Sequence, residues 1–293
     1  MRGRYKKIII IGAGRSGTNM LRDVLTSLPN VVTWNCDEIN PIWKIGNRNE
    51  ISDELDEGSI KEDTTKLILK EFDKLAARYN ASYVVEKTCA NSLRVPYVFK
   101  ILPDAYYIFI HRDGRDVVPS AVKRWTSKLD VRYSLKKLRY VPKSDLLFYI
   151  RKFGLNRIMR LLHGKKSLSF WGPFYEGMDR DVRRHTLDEV CAKQWAKCTV
   201  NSLISAHSLI PEEQRIIVSY EGFVSCPEGQ LQKILEFVGM DYSEIDLGKL
   251  VENVSNRSVG LQKKTGYKLD NRVVDIIQNA EEKMKACIDI PNA

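Results

Sequence analysis

Residues 6–19 read KKIIIIGAGRSGTN, and the fold follows from this string. Ile8 to Ile11 are β-branched and uninterrupted, the pattern of a strand buried on both faces. Gly12 ends it. Met20, Leu21, Val24, Leu25 and Leu28 then recur at helical spacing over residues 18–28. A strand, a glycine-rich loop and a helix start make an anion cradle. Glycines let the backbone approach, and the first helical N–H groups point at the ligand. The loop fits GxGxxG at Gly12, Gly14 and Gly17, with the acidic pair Asp37-Glu38 about 20 residues on, as in a dinucleotide-binding oxidoreductase. It also nearly fits the kinase and ATPase loop GxxxxGK[ST]. There, Thr18 stands in place of the lysine and Asn19 in place of the magnesium-binding hydroxyl. A phosphate loop remains, with Arg15 as its cation and hydroxyls at Ser16 and Thr18.

Working outward, residues 31–34, 82–86, 106–110 and 215–219 are further short strand candidates. Helical patterns lie between them. Ser59 with Glu62, Thr186 with Glu189 and Ser225 with Glu228 each read as a capping box opening a helix. The first of these helices runs to about Arg78 and the second to about His207. Alternating strands and helices predict an α/β fold, a parallel sheet with helices on both faces. No repeat or linker divides residues 1–293, so a single domain is expected, with a helical insertion at about residues 126–185.

The chain carries 47 Lys and Arg against 37 Asp and Glu, a formal net charge of +10. At 43% hydrophobic and 29% charged it is ordinary globular material, which excludes a disordered or collagen-like chain. The basicity is local. Residues 121–166 hold fourteen Lys and Arg against Asp130 and Asp145, leaving the remainder slightly acidic. This patch is either a solvated helical face or a docking surface for an anionic acceptor or membrane surface. A basic binding module acting through it, with a degenerate pocket, is a rival of another class. Its signature is salt-dependent association without turnover. The longest apolar run at the N-terminus is four isoleucines, too short for a span or a signal-peptide core, so a cytoplasmic protein is expected. The six cysteines form no CxxC pair and read as reduced, mostly buried thiols. The four histidines are scattered, and no metal site is expected.

A second anion site follows the fourth strand, in His111-Arg112-Asp113-Gly114-Arg115-Asp116-Val117-Val118-Pro119-Ser120. Arg112 falls at the C-terminal end of a strand, where open α/β sheets bind ligands. A helix is expected to start near Asp116, placing Ser120 on its first turns and Arg124 on the same face. A guanidinium fork and a hydroxyl suit one phosphate. The bland alternative is that Arg112 and Arg115 merely pair with Asp113 and Asp116.

GAGRSGTN after the first strand and RDGRDVVPS after the fourth resemble, together and in this order, the sulfotransferase family, and within it the tyrosylprotein sulfotransferases and bacterial relatives. The resemblance implies a P-loop-like core. It implies 3′-phosphoadenosine 5′-phosphosulfate (PAPS) as donor, adenosine 3′,5′-bisphosphate (PAP) as product and a hydroxyl-bearing small molecule, glycan, lipid or peptide as acceptor. No nucleic-acid partner is implied. It implies that Gly14, Arg15, Ser16, Gly17, Thr18 and Asn19 hold the 5′-phosphosulfate. Arg112 and Ser120 would hold the 3′-phosphate, with Arg124 assisting. Glu86-Lys87-Thr88 is similar to the family's lysine segment, which makes Lys87, beside Arg15, the stabiliser of the leaving oxygen. RIIVSYE at residues 215–221 is similar to a strand ending in Tyr-Glu beside the nucleotide, which brings in Tyr220. Ser258 loosely matches a serine near the donor. The base implied is a glutamate after the second strand, here Glu38, with Asp37 as the substitute. Asn19 departs from the second threonine of many relatives but keeps its N–H and a hydrogen-bonding side chain. Trp34, Trp43, Trp125, Trp171 and Tyr175 are either core or acceptor-cleft residues.

Overall fold

The computed structural model describes residues 5–127 and 171–288. Most of the basic stretch 121–166 and of the expected insertion therefore lies outside the described residues.

Five strands form one sheet in the order β2-β3-β1-β4-β5, every pair parallel. They are β1 (Lys6–Ile11), β2 (Val31–Val32), β3 (Tyr83–Lys87), β4 (Tyr106–His111) and β5 (Arg215–Ser219). The two-residue alternation of a strand sorts their side chains. Ile8, Ile10, Val85, Ile108 and Ile110 face one layer, and Ile9, Ile11, Val84, Tyr107 and Phe109 face the other. The first face packs on α1 (Thr18–Thr26) through Leu21, Val24 and Leu25. The opposite face packs on α3 (Glu62–Tyr79), reached after the one-turn α2 (Asn40–Trp43), through Ile68 and Phe72. That layer continues with α4 (Val95–Ile101), α5 (Gly114–Trp125), α6 (Met178–Arg184) and α7 (Leu187–Leu209). Past β5 come α8 (Tyr220–Ser225) and α9 (Pro227–Val238), which joins α1 on the first face. α10 (Leu247–Val251) adds to that face. α11 (Leu261–Thr265) and α12 (Asn271–Ile288) end the described chain, and Val273 and Ile277 of α12 pack in the second layer. Ile8 to Ile11 are fully buried. Each contributes roughly 1.5–3 kcal/mol, which is why the isoleucine run seeds the centre of the sheet.

The expected sheet with helices on both faces is therefore present, and β5 falls on the expected residues. The second strand covers only Val31–Val32, because the chain leaves the sheet before Trp34. The first helix stops at Thr26 and not Leu28, capped by Ser27. Of the three expected capping boxes only Thr186/Glu189 forms, with Thr186 Oγ1 accepting from the Glu189 N–H and Glu189 reaching back to the Thr186 N–H at 2.8 Å. Ser59 belongs instead to a separate 3₁₀ turn whose cap is Asp56, and α3 starts behind Lys61. Ser225 is the last residue of α8, and Pro227 opens α9, where its missing N–H costs nothing. α5 starts two residues earlier than expected, since the Asp113 carboxylate caps the Arg115 N–H at 2.8 Å.

No helix among the described residues is long and apolar enough to cross a membrane. All six cysteines are free. Cys89, Cys191 and Cys198 are buried, but Cys226 is exposed and Cys36 and Cys287 are half-buried, fewer buried thiols than expected.

Candidate active site

Because all strands are parallel, the loops after β1, β2, β3 and β4 open at one edge of the sheet, and the two motifs meet there. Residues 12–17 leave β1 and feed α1. Gly17 has φ +92°, a left-handed conformation that suits glycine. A Cβ there would lie 2.5 Å from the Tyr220 ring. Arg15 is also left-handed, at φ +74°. Its Nε donates to Ser120 Oγ at 2.9 Å. Arg112, buried, donates through Nη1 to the Arg15 carbonyl at 3.1 Å and through Nη2 to the Ser258 carbonyl. The Arg112 guanidinium also lies 4.3 Å from the Tyr220 ring centroid. So Arg15, Gly17, Arg112, Ser120 and Tyr220 form one contiguous cluster, with Ser258 at its rim.

The electrostatics of the cluster is cationic. Partial burial, then the neighbouring charges of Arg112 and Arg124, push the Arg15 guanidinium below its ordinary value. Arg124 is thus within the field of the other two arginines, although exposed. Of the seven buried side-chain polar atoms without a hydrogen-bond partner among the described residues, two, Ser16 Oγ and Arg112 Nε, lie at this site. Unmet buried donors are costly. Here one sits in the loop and one at the second motif, which is what a ligand carrying an anionic group at each end would satisfy. Thr18 is buried on the first turn of α1, its hydroxyl 3.6 Å from Cys89 Sγ, and Asn19 is exposed beside it. Gly14 is faced by Trp171, and a Cβ there would lie 3.0 Å from that ring.

Lys87 ends β3, next to Ile10 in the sheet register, and is buried. Its Nζ stands 3.3 Å from Glu38 Oε1, which also accepts from the Cys89 N–H at 3.4 Å. Burial alone would lower the ammonium. Burial is the largest single effect, but Glu38, together with Cys89 and Asp37, more than offsets it and holds Lys87 above its ordinary value. Asp37 turns away and pairs with Arg22 at 3.3 Å. The two acids that a ribose-binding reading requires are therefore both engaged, by Lys87 and Arg22.

Trp34, Trp43, Trp125 and Tyr175 are buried in the core. Trp171 is half-buried and held by Gln194, whose Nε2 donates to the carbonyls of Trp171 at 2.9 Å and Pro173 at 2.8 Å. Arg115 pairs with Asp113, and Arg112 with Asp116, as the bland reading has it; Arg115 also pairs with Glu281. Asp116 is 3.8 Å from Arg112 and chiefly accepts the N–H groups of Gly260 and Gln262, at 2.7 and 3.0 Å. Sequence reasoning missed this role and that of Trp195, whose Nε1 donates to the Arg112 carbonyl at 3.1 Å. Asp116 sits one helical turn after Arg112, a spacing visible in the sequence. Trp195 gives no local signal, being 83 residues away.

A family model described as "Sulfotransferase family" matches residues 7–168 and 138–244. No curated protein matches. Similar solved structures include a sulfotransferase from Mycobacterium avium, with a TM-score of 0.52 at 10% identity, covering 99% of this chain and 78% of that one. The sulfotransferase domain from the curacin biosynthetic pathway gives 0.51 at 14%, covering 94% and 98%. A sulfotransferase from Alicyclobacillus acidocaldarius gives 0.51 at 16%, covering 97% and 95%. The structural likenesses speak for the fold, while the family model spans well over half of the sequence. This chain belongs to the sulfotransferase family.

Proposed function

We propose that the chain transfers a sulfuryl group from PAPS to an acceptor hydroxyl, with the donor gripped at both ends by the cluster around Arg15 and Arg112. The observation that carries this reading is the meeting of the two motifs through Arg15–Ser120 and Arg112–Arg15, with Ser16 Oγ and Arg112 Nε left to be satisfied. Bound there, the donor would supply the activated sulfuryl group. The loop N–H groups, Ser16, Thr18, Asn19 and Arg15 hold its 5′ end. Arg112, Ser120 and Arg124 hold the 3′-phosphate.

The chain's own part is positioning and charge stabilisation, since sulfuryl transfer, like phosphoryl transfer, passes through a loose transition state. Lys87 is fixed before reaction, so its charge acts on the leaving oxygen without reorganisation. Glu38, 3.3 Å from Lys87, takes the proton of the acceptor hydroxyl. On this reading the base and the cation act at the same reacting centre. Trp171 borders the loop at Gly14 and offers a flat apolar wall for an acceptor. The reading takes the protein as cytoplasmic.

The test is to incubate the purified protein with PAPS and phenol, sugar and lipid-alcohol acceptors, and to follow by mass spectrometry the gain of one SO₃. Lys87→Ala and Glu38→Gln should each lower turnover at least about tenfold, or about 1.4 kcal/mol of barrier. Wild-type turnover in either variant removes that residue's role. NAD binding without PAP binding would favour the oxidoreductase reading.

A further inference from the structure

Glu86 is fully buried, one residue before Lys87 in β3. Successive strand residues face opposite sides of the sheet, so the Glu86 carboxyl lies on the face away from Lys87. A carboxyl placed there must be hydrogen-bonded. Glu86 Oε1 accepts from Thr88 Oγ1 at 2.5 Å, and Oε2 accepts from Asn91 Nδ2 at 3.0 Å. A threonine hydroxyl has one proton, and it is committed to Glu86. The oxygen lone pairs of Thr88 are then free to accept, and they do so from the Ile39 N–H at 3.1 Å. Ile39 is the residue after Glu38. A second arm runs parallel to the first. Asn91 Oδ1 accepts from Arg94 Nε at 2.9 Å, and Arg94 Nη2 donates to Asn40 Oδ1 at 2.6 Å. The two residues that follow Glu38 are thus both tied back to the segment that leaves β3.

We infer that Thr88, oriented by Glu86, is a positioning residue that holds Glu38 against Lys87. The inference rests on the reading of Glu38 as the proton acceptor. Thr88 touches no reacting atom. It fixes the backbone of the segment that carries the base, and its donor-to-Glu86, acceptor-from-Ile39 polarity is what makes it suitable. Valine has the same shape without either capacity. Serine keeps both.

The experiment compares Thr88→Val and Thr88→Ser, each alone and in a Glu38→Gln background, in the full chain. Amide hydrogen exchange at Ile39 reads the tether, calorimetry with PAP reads the donor site, and release of inorganic sulfate from PAPS reads transfer to water. In that last reaction the sulfur–oxygen bond to the nucleotide breaks, a bond to the water oxygen forms, and Glu38 takes the water proton. Thr88→Val should speed Ile39 exchange at least about tenfold and lower sulfate release about tenfold, with PAP affinity held. Thr88→Ser should restore both. In the Glu38→Gln background, Thr88→Val should cause no further loss, because both changes remove the same contribution. Unchanged exchange at Ile39 in Thr88→Val overturns the proposal. So does a loss that multiplies with that of Glu38→Gln, or a loss of PAP affinity equal to the loss of turnover. Should Glu38→Gln itself turn over normally, the assignment of the base fails, while Ile39 exchange still reports separately on the tether.

Discussion

At the scale of single residues, buried charge governs the site and its dependence on pH. Burial pushes the Glu86 carboxyl up to about 7 from 4.5, against the opposing effect of its hydrogen bonds to Thr88 and the charges of Lys87 and Arg94. A folded-state value above the unfolded one means that the folded chain holds the proton more tightly. Stability is then largest below about pH 4.5 and falls as pH rises toward about 7, by at most about 1.4 kcal/mol per pH unit. Glu86→Gln removes this contribution. Urea midpoints on either side of that window should fall further with rising pH in the wild type than in the variant. Parallel falls would place the titrating group elsewhere. Sequence motifs drew attention to Arg15, Arg112, Ser120 and Tyr220, and the structure places them together. The role of Glu86 was not legible, because depth in a strand depends on which helices cover it. For the same reason Trp34, Trp43, Trp125 and Tyr175 turned out to be core.

Elements show how far local chemistry reaches. Three segments carry the Ser/Thr-x-x-Glu signature, yet only Thr186 caps a helix with it. Thr186 is extended, at ψ 158°, and its oxygen faces the Glu189 N–H. Ser59 is already committed to the Asp56 carbonyl, and Ser225 to that of Gly222. A four-residue pattern cannot register such competing local partners. The surviving cap opens α7, the longest described helix, which carries Gln194 toward Trp171 and Trp195 toward Arg112. Thr186→Ala should therefore destabilise the protein by about 1 kcal/mol in urea unfolding, with Thr186→Ser near neutral. No change in either would show that the N-terminus of α7 is held by packing alone. Strand positions were read within one or two residues because a parallel sheet needs continuous apolar runs, and such runs are unambiguous at Ile8–Ile11 and in RIIVS.

Over the whole molecule, one parallel sheet brings two loops that are about 100 residues apart in sequence to a common edge. Each loop leans on the other. Arg15 needs Ser120, and Arg112 is oriented by the Arg15 carbonyl, the Tyr220 ring and the Trp195 bond to its own carbonyl. The order of motifs in the sequence announced this meeting, since open α/β sheets bind ligands beyond the carboxyl ends of their strands. Asp116 lies within the second motif, but the contacts that lock the meeting from Trp195 and the Gly260 loop come from segments with no motif. They became visible only with the fold. The central claim is a nucleotide held at both ends, and calorimetry tests it most directly. PAP and adenosine 5′-monophosphate are each titrated into the wild type and Arg112→Ala. The account predicts that the wild type binds PAP much more tightly than the monophosphate, and that Arg112→Ala erases most of the difference while leaving monophosphate binding nearly unchanged. Equal affinities in the wild type, or discrimination that survives in Arg112→Ala, would contradict it.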